Sequence, residues 1–255
     1  MDTVTPAILA LDNIGFGFGG DPVLQGLSLE IPRGRFIAVV GPSGVGKSTL
    51  LRVIAGLVAP MEGTVRLLSS ITPGRRPMAL VFQDPRLLPW RRVLGNVEYG
   101  LEGLGLSTTD RRIRAEAALR LVGLAEHNAK WPHQLSGGQR QRVGIARALA
   151  VEPDLLLVDE PFGALDAITR DLLQDELLRI WQETGATIIF VTHDLNEAVY
   201  LADRVIMLGG TPARIIRDVR VTLPRPRMRN AAALDDHAVE LRLAMNDIFI
   251  EGGGI

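Results

Sequence analysis

The sequence contains no cysteine, and only two of its 28 basic residues are lysine. Without cysteine the chain forms neither disulfides nor thiolate metal sites, and a reducing compartment is an unremarkable place for it. Because arginine supplies almost every cation, a lysine retained inside a motif indicates chemistry that a planar guanidinium cannot perform. Lys47 lies in such a motif, whereas Lys130 lies in none and is expected to be a solvated loop charge.

Long apolar runs and a strong net charge are also lacking. No apolar stretch approaches the roughly 20 residues of a membrane-spanning helix, so work at a membrane would require another subunit to bring the chain there. The formal net charge of −1 does not indicate binding to nucleic acid or to an acidic membrane. The first residues, MDTVTPAILALDN, are not expected to act as a secretory signal. The 255 residues, 47% of them hydrophobic, suffice for one large domain or two small lobes.

The most informative stretch is an apolar strand, Phe36 to Val40, followed by GPSGVGKST and an apolar helix. The phosphate-loop pattern G-x-x-x-x-G-K-[ST] places its fixed positions on Gly41, Gly46, Lys47 and Ser48. Glycines let backbone amides fold around a polyphosphate, and the helix N-terminus adds partial positive charge. Lys47 would then reach the β and γ phosphates, and Ser48 would hold Mg²⁺. The alternative, a glycine-rich turn before an ordinary helix, does not explain strand, loop and helix together.

A second glycine-rich motif, LSGGQRQR, leads into a helix expected to turn Val143, Ala146, Leu149 and Ala150 inward. Ser136 and Gln139 have the spacing of a capping box, so a well-capped helix start is the simplest interpretation. That interpretation leaves Gly137 and Gly138 unexplained, because glycine destabilises a helix. Both glycines make sense if the phosphate of a ligand must come close to bare amides.

Carboxylates and a histidine follow two later strands. DLLLVDEP is an apolar strand ending in Asp159 and Glu160, at the edge where open α/β sheets bind ligands. Asp159 suits the Mg²⁺ shell of a phosphate-loop enzyme and Glu160 suits a general base, although a solvated strand end remains the alternative. The next strand, Thr187 to Val191, leads to His193, which is either structural or catalytic.

Alternating patterns predict the other elements of the first half. Strands are predicted at Ala7 to Asn13, Leu24 to Ile31, Gly63 to Leu68 and Met78 to Phe82, with a glycine-rich turn from Gly15 to Pro22. The helix after the phosphate loop is expected to carry Leu50, Leu51, Ile54 and Leu57 at helical spacing. The segment Gln83 to Arg92 contains two prolines and is predicted to be an exposed connection.

In the second half, a helix is predicted from Thr109 to Val122, with Thr109 as N-cap and Ile113, Ala117 and Leu121 on one face. A longer helix, Ala167 to Thr184, is predicted with Asp166 as N-cap and Gly185 as terminator. Its buried side is expected to comprise Ile168, Leu172, Leu173, Leu177, Ile180 and Trp181. A short helix from Leu195 to Ala202 and a final strand from Arg204 to Leu208 complete the pattern.

The tail, Arg217 to Ile255, has five arginines from Arg217 to Arg229 around prolines. A solvated linker is favoured there over a segment that touches lipid head groups. Apolar spacing through Val239, Leu241, Leu243 and Ile248 predicts a last helix.

Together these motifs resemble the ATP-binding subunits of ABC transporters over nearly the whole chain. They occur in the family's order: GPSGVGKST as Walker A, Gln83 as the Q-loop, LSGGQ as the signature, LLLVDE as Walker B, Ala164 to Asp166 as the D-loop and His193 as the switch histidine. The signature is the specific element, since Walker A alone leaves kinases and GTPases open. The stretches QDPRLLPWRRVLGNV and WPHQLSGG, with a short proline-and-arginine tail, are similar to the nitrate, sulfonate and taurine importer group.

The resemblance implies an α/β fold of the P-loop NTPase (RecA-like) type, with a mostly parallel sheet, an N-terminal antiparallel β layer and a helical signature subdomain. Residues 1–255 would form one nucleotide-binding domain. The β layer and core would occupy 1–84 and 152–216, the helical subdomain 85–151, and a tail with a helix 217–255. The segment Leu68 to Pro77 departs from the family's pattern, because it is short and lacks the Asp-Gly turn often found there. No C-terminal regulatory domain is expected.

The resemblance also implies the ligands ATP and Mg²⁺ and a role for each site residue. Glu160 would be the general base, His193 would hold the γ-phosphate and the water, and Gln83 would sense Mg²⁺ and that water. The Mg²⁺ ligands would be Ser48, Gln83 and Asp159. The ATP-binding set would comprise Phe18, Gly41, Pro42, Ser43, Gly44, Val45, Gly46, Lys47, Ser48, Thr49, Ser136, Gly137, Gly138, Gln139 and Asp166. Phe18 would stack on adenine where the family usually has tyrosine.

The partners follow from the same resemblance. Two copies would pack head to tail, with Ser136, Gly137 and Gly138 of one capping the nucleotide held by the other. Each dimer would serve transmembrane permease subunits and an extracytoplasmic solute-binding protein, on the cytoplasmic face of the inner membrane, without nucleic acid. Trp90 either docks the permease or plugs a local core.

Other classes account for the sequence less well. Another importer group with a different small solute remains an alternative. A soluble ABC-type ATPase acting on DNA or ribosomes would be expected to carry a coiled-coil insertion or a second cassette. A scaffold that does not hydrolyse ATP would be expected to lack Lys47, Glu160 or His193, and all three are present.

Overall fold

Contacts along the chain divide it into two units. One is formed by the segment up to Leu68 together with the segment from Thr187 onward, and the other by Ser69–Ala186. The computed structural model describes residues 5–163, 165–229 and 231–251, with the backbone alone at 233, 235 and 244–251. Among the described residues, no helix combines the length and apolar character needed to cross a bilayer.

The first unit contains an antiparallel sheet of three strands in the order β2, β1, β4. These are β1 (Ala7–Phe18), β2 (Asp21–Pro32) and β4 (Glu62–Leu67). Leu27, Leu29 and Ile31 of β2 are buried, as the alternation predicted. This sheet confirms the predicted antiparallel β layer.

The same unit contains the strand that leads to the phosphate loop, β3 (Phe36–Val40). It pairs in parallel with β7 (Thr187–Thr192) on one side and with β8 (Arg204–Gly209) on the other. A last strand, β9 (Arg214–Arg220), runs antiparallel to β8. All five residues of β3 and all six of β7 are buried, which is why both read as continuous apolar runs.

Three helices complete the first unit: α1 (Lys47–Ile54), α6 (Leu195–Leu201) and α7 (Ala232–Glu251). α1 turns Leu50, Leu51 and Ile54 into the core. Leu57 was expected at the same helical spacing, but the helix ends before it and its side chain is 57% exposed. Gly56, at φ 68°, follows the C-cap, which explains why the apolar spacing stops there.

The arginines of the tail are not a solvated linker. Arg227 donates to the backbone carbonyls of Val199, Tyr200 and Ala202, at the C-terminal end of α6. Arg225 pairs with Asp203 at 2.9 Å and donates to the Leu201 carbonyl. These contacts satisfy carbonyl groups that a helix end otherwise leaves open. We call Arg225 and Arg227 the arginine clamp.

The second unit pairs β5 (Met78–Val81) in parallel with β6 (Leu155–Asp159), in agreement with the predicted parallel arrangement. Its helices are α2 (Val93–Gly100), α3 (Thr108–Leu121), α4 (Gly137–Leu149) and α5 (Ala167–Thr184). Two short 3₁₀ helices, Ala125–His127 and Pro132–Gln134, connect α3 to α4. The predicted bounds of α5 and its terminator Gly185, at φ 63°, are confirmed.

Several predictions about the strands are wrong. The expected glycine-rich turn at Gly15 to Pro22 is mostly strand, because β1 continues to Phe18 and only Gly19 and Gly20 form the turn. Gly17 lies in the strand where an added Cβ would overlap the carbonyl of Asp21, so close backbone approach explains this glycine. β8 is not the final strand, because β9 follows it and overlaps the arginine-rich stretch. The exposed charges of β9 suit an edge strand.

Predictions about the helical faces also need correction. Ser107, rather than Thr109, caps α3, and Ile113 is 56% exposed while Ala115, Ala118 and Leu119 are buried. In α5, Leu173, Leu177 and Ile180 are buried as predicted, but Ile168 and Leu172 are 75% and 55% exposed. Apolar spacing alone therefore predicted too wide a buried face in α5 and the wrong face in α3.

Candidate functional site

The phosphate loop begins where β3 ends. Val40 pairs with Thr192 of β7 and with Met207 of β8. The next residue, Gly41, has no room for a side chain, because an added Cβ would lie 2.5 Å from the carbonyl oxygen of Leu208. Close approach to β8 therefore requires glycine at this position.

The loop closes on Gly46, which caps α1 at φ 108° without any side-chain hydrogen bond. Lys47 begins the helix and is only 4% exposed. Its Nζ donates to the carbonyl oxygens of Gly41 and Pro42, both at 2.9 Å. A buried ammonium inside a loop, at a helix start that has no side-chain cap, is a donor set suited to an anionic phosphate.

The other predicted residues of the phosphate loop lie on either side of Lys47 in the sequence. Ser43 and Gly44 are exposed, and Gly44 has φ 80°. Val45 donates from its backbone amide to the Pro42 carbonyl at 3.3 Å. Ser48 and Thr49 lie half-buried in the first turn of α1.

His193 follows β7 just as Gly41 follows β3, and the two strands are hydrogen-bonded neighbours. Its side chain is exposed. The turn that carries it is held by buried groups, since Thr192 Oγ1 donates to Glu197 Oε2 at 2.6 Å. Asp194 then caps α6 by accepting from the Asn196 amide at 2.8 Å. The histidine is therefore an exposed side chain on a well-fixed backbone.

Sequence reasoning missed Glu197, which is 7% exposed. Asp194 and Glu197 have the spacing of a capping box, and this was the available signal. In the structure the carboxylate of Glu197 bonds the Thr192 side chain, so the buried acid ties α6 to the end of β7. Phe18, also in the first unit, is 55% exposed and meets Phe16 edge to face, with ring centroids 4.9 Å apart.

In the second unit the register of β5 and β6 brings Gln83 and Glu160 together. Val81 and Val158 are paired, and Gln83 and Glu160 each lie two positions further along the sequence. Gln83 Nε2 donates to Glu160 Oε2 at 3.5 Å, a long contact. Glu160 adopts φ 40°, an uncommon left-handed conformation of a kind that clusters at functional sites. Asp159 ends β6 and is 8% exposed.

The signature motif forms the start of α4. Ser136 accepts from the Gln139 amide at 3.2 Å, and Gln139 Oε1 accepts from the Ser136 amide at 3.0 Å. This reciprocal pair confirms the predicted capping box. Gly138 has a packing reason as well, because an added Cβ would lie 2.6 Å from Thr169 Cγ2 of α5. Gly137 is exposed, and the nearest atom to an added Cβ is 3.9 Å away.

Asp166 caps α5 as predicted. Its carboxylate accepts from the Thr169 amide at 3.0 Å and from the Thr169 hydroxyl at 2.8 Å. These hydrogen bonds, the backbone one first, lower the pKa of Asp166 below its ordinary value. Ala164, the first residue of the predicted D-loop, lies outside the described residues.

The predicted site residues thus form three small groups. The loop of 41–49 and His193 follow two paired strands of the first unit. Gln83 and Glu160 meet in the second unit, and Ser136 to Gln139 lie beside the start of α5 in that same unit. In the first unit, a buried ammonium and helical amides without a side-chain cap suit an anionic phosphate. In the second unit, carboxylates at a strand end suit a metal ion or a general base.

Comparison with known families identifies these motifs. Residues 24–163, more than half of the chain, match the family model described as ABC transporter. The chain belongs to the ABC transporter family. The recognition made from the motif order is therefore confirmed, and the chain is an ATP-binding ABC ATPase.

Curated ABC proteins resemble the chain closely. It is 50% identical over 226 residues to an aliphatic sulfonates import ATP-binding protein of Rhodopseudomonas palustris, covering 89% of this chain and 79% of that protein. It is 51% identical over 204 residues to a taurine import ATP-binding protein of Yersinia pestis, covering 78% of each.

Solved ABC structures confirm the P-loop NTPase fold. An ATP-binding cassette solved as a dimer after hydrolysis, bound to ADP and phosphate, superposes with a TM-score of 0.72 at 33% identity, covering 85% of this chain and all of that one. CbiO1 of Clostridium perfringens, part of an ABC transporter complex, gives a TM-score of 0.76 at 29% identity, covering 96% and 99%.

Proposed function

We propose that the chain is the ATP-hydrolysing subunit of an importer for small organic sulfonates such as taurine. The observation that carries this proposal is the identity of about half of all aligned residues with sulfonate and taurine import proteins. Nitrate is a further candidate solute, because the chain resembles the nitrate, sulfonate and taurine importer group. Because solute specificity is expected to lie in other subunits, the cassette contributes the energy of hydrolysis rather than the choice of solute.

Lys47 and the amides of 41–49 are proposed to hold the phosphates. The buried ammonium already meets two backbone carbonyls at 2.9 Å, so it would exchange these for more strongly charged phosphate oxygens. Pro42, Ser43, Gly44, Val45 and Thr49 would line the loop. Phe18, half-exposed and braced by Phe16, offers a ring face for adenine.

The donor set also fits Mg²⁺, which prefers oxygen ligands. The hydroxyl of Ser48, the carboxylate of Asp159 and the carboxamide oxygen of Gln83 are the proposed ligands. The bound ion would neutralise charge on the phosphates. Glu160 is the proposed general base, and Gln83, 3.5 Å from it, would help to orient its carboxylate and the water. The exposed His193 would hold the γ-phosphate.

A dimer of this chain is proposed for the ATP-bound state. Ser136, Gly137, Gly138 and Gln139 of one copy would meet the nucleotide on the phosphate loop of the other, with Asp166 close to the interface. The exposed Gly137 supports this arrangement, because a phosphate could approach it unobstructed. The dimeric state of a related cassette provides further support.

Transmembrane permease subunits and an extracytoplasmic binding protein are the further proposed partners. The chain would then work as a peripheral subunit on the cytoplasmic face of the inner membrane. Trp90 is 70% exposed and lies in the proline-containing connection after Gln83. Its exposure argues against the local core role and for docking against the permease. Residues 85–151 are the proposed helical subdomain, and 217–255 the proposed tail.

A single substitution tests the hydrolytic roles. Glu160→Gln keeps the size of the side chain and removes the general base, so turnover should fall about a hundredfold or more. Nucleotide binding should be retained, and a stable ATP-bound dimer should accumulate. Steady-state phosphate release and size-exclusion chromatography with ATP measure the two effects. Glu126→Gln, at an exposed position of the same unit, is the matched control.

Affinity purification of the tagged chain from detergent-solubilised membranes tests the transport assignment. Mass spectrometry should recover a multi-span permease, and the associated binding protein can then be titrated with taurine, alkanesulfonates and nitrate. Recovery of ribosomal or DNA-repair proteins without a permease would contradict the importer function and leave the ATPase chemistry standing.

A further inference from the structure

One buried imidazole nitrogen beside the signature motif has no assigned role. His127 ends the 3₁₀ helix Ala125–His127, and its Nε2 lies 3.2 Å from Nε2 of Gln139. Its other ring nitrogen, Nδ1, is buried and has no hydrogen-bond partner among the described residues. Burying an unpaired polar atom costs stability, so the ring is kept in this place at a cost to the fold.

The direction of the His127 hydrogen bond follows from the capping box. The Ser136 amide can only donate, and it donates to Oε1 of Gln139 at 3.0 Å. The nitrogen of the Gln139 carboxamide is therefore the atom that faces His127, and it too can only donate. Nε2 of His127 must accept, which places the ring proton on the buried Nδ1.

We propose that His127 is a positioning residue for the signature motif. By accepting from Gln139 Nε2, it holds the carboxamide in the orientation whose oxygen satisfies the Ser136 amide. Ser136, Gly137 and Gly138 are thereby kept in place before a nucleotide arrives. The proposal rests on the proposed function, in which these residues meet the nucleotide bound by the other copy.

The backbone around His127 is fixed well enough for this task. Its amide donates to the Leu124 carbonyl at 2.9 Å, and its carbonyl accepts from the Lys130 amide at 2.9 Å. The following residues are tied to α2, because Asn128 and Lys130 accept from the amides of Leu94 and Val93. The imidazole thus reaches the signature from a rigid turn rather than from a loose loop.

Two substitutions at His127 test the proposal with the full chain. His127→Leu removes the acceptor, and His127→Gln restores an acceptor oxygen close to the position of Nε2. The maximal rate of ATP hydrolysis should fall about two- to tenfold in the leucine variant, the value of one hydrogen bond. It should stay within about twofold of the parent rate in the glutamine variant. The dissociation constant of a fluorescent ATP analogue should stay unchanged in both, because the phosphate loop is intact. His133→Leu, at an exposed position of the next 3₁₀ turn, is the matched control.

Two measurements decide the proposal independently of hydrolysis. Nitrogen NMR of ¹⁵N-histidine-labelled protein should show Nε2 of His127 unprotonated and Nδ1 protonated. Hydrogen exchange of a peptide spanning 134–142 should be faster in His127→Leu than in the parent and in His127→Gln. A protonated Nε2, or equal exchange in all three proteins, would overturn the proposal. A parent chain that shows this tautomer and exchange pattern but hydrolyses no ATP would contradict the proposed function instead.

Discussion

The chain starts two glycine-rich helices in opposite ways. At α1 the N-cap is Gly46, a residue without a side chain that could accept from the amides of the first turn. At α4, Ser136 and Gln139 bond each other's backbone amides, and His127 braces the glutamine. Both helix starts attract anions through the same backbone dipole, but of the two N-cap residues Ser136 provides a side-chain acceptor and Gly46 does not.

The difference indicates two modes of phosphate recognition. At α1, a buried lysine and amides without a side-chain cap are the proposed main binding site, whose affinity would be intrinsic to one chain. At α4, the capping box satisfies the helix start in advance, so the motif keeps its shape while no nucleotide is nearby. Recognition of the nucleotide at α4 would depend on the fixed shape of the motif and would contribute less binding energy than α1.

The comparison predicts the largest effect at α1. Lys47→Ala removes the charge-assisted hydrogen bonds proposed for the phosphates, and nucleotide affinity should fall about ten- to a hundredfold. Titration with a fluorescent ATP analogue measures the loss. Lys130→Ala changes the only other lysine, which is exposed, and should bind like the parent protein. Equal affinities of the two variants would remove Lys47 from the binding site.

A moderate effect is expected at α4. Ser136→Ala deletes a cap and should lower the free energy of unfolding by about 1 kcal/mol in urea titrations. Nucleotide affinity should be unchanged, while hydrolysis should decrease because the signature loses its preset shape. Ser107→Ala removes the equivalent cap of α3, which accepts from the Asp110 amide at 3.1 Å. It should cost similar stability without slowing hydrolysis, and a matching loss of hydrolysis would show that the effect at Ser136 is merely structural.

The smallest effect is expected at α5, where the cap is a carboxylate. Because folding lowers the pKa of Asp166, its charge stabilises the native state above the unfolded pKa, and that contribution is lost as the pH falls through the folded value. Asp166→Asn keeps an N-cap but removes the titration. The urea midpoints of parent and variant should therefore differ slightly at pH 7 and converge as the pH falls from about 4, the ordinary range of aspartate, through the lower folded pKa. A difference that stays constant with pH would contradict the role of the charge.

Much of the fold was predictable wherever one local pattern dominates. β3, α5 and the start of α4 have the expected bounds or caps, since continuous apolar runs and capping residues act through neighbouring positions. The pairing of Gln83 with Glu160 could be expected once two apolar strands were seen to end in polar residues. The register that brings them to 3.5 Å, however, is a tertiary property.

The missed features depend on distant partners. Gly17 lies within β1 because the carbonyl of Asp21 leaves no room for a side chain, and nothing local separates that glycine from one in a turn. Ile168 and Leu172 fall on the helical spacing of α5 yet remain exposed, because only the part of the apolar face around Leu173, Leu177 and Ile180 is buried. Asp166 and Ser136 were recognised as caps, but the contact of His127 with Gln139 spans twelve positions and leaves no periodic signal.

The arginine clamp has a consequence for how the protein is made. Arg225 and Arg227 close the end of α6, the helix that begins directly after His193 and Asp194. During synthesis the carbonyls of that helix end stay open until the ribosome has released the arginines more than twenty positions downstream. The hydrogen bonds that close α6 can therefore form only after β3, the phosphate loop and β7 have been synthesised, whereas Thr192 and Asp194 hold the histidine turn through neighbours only a few positions away.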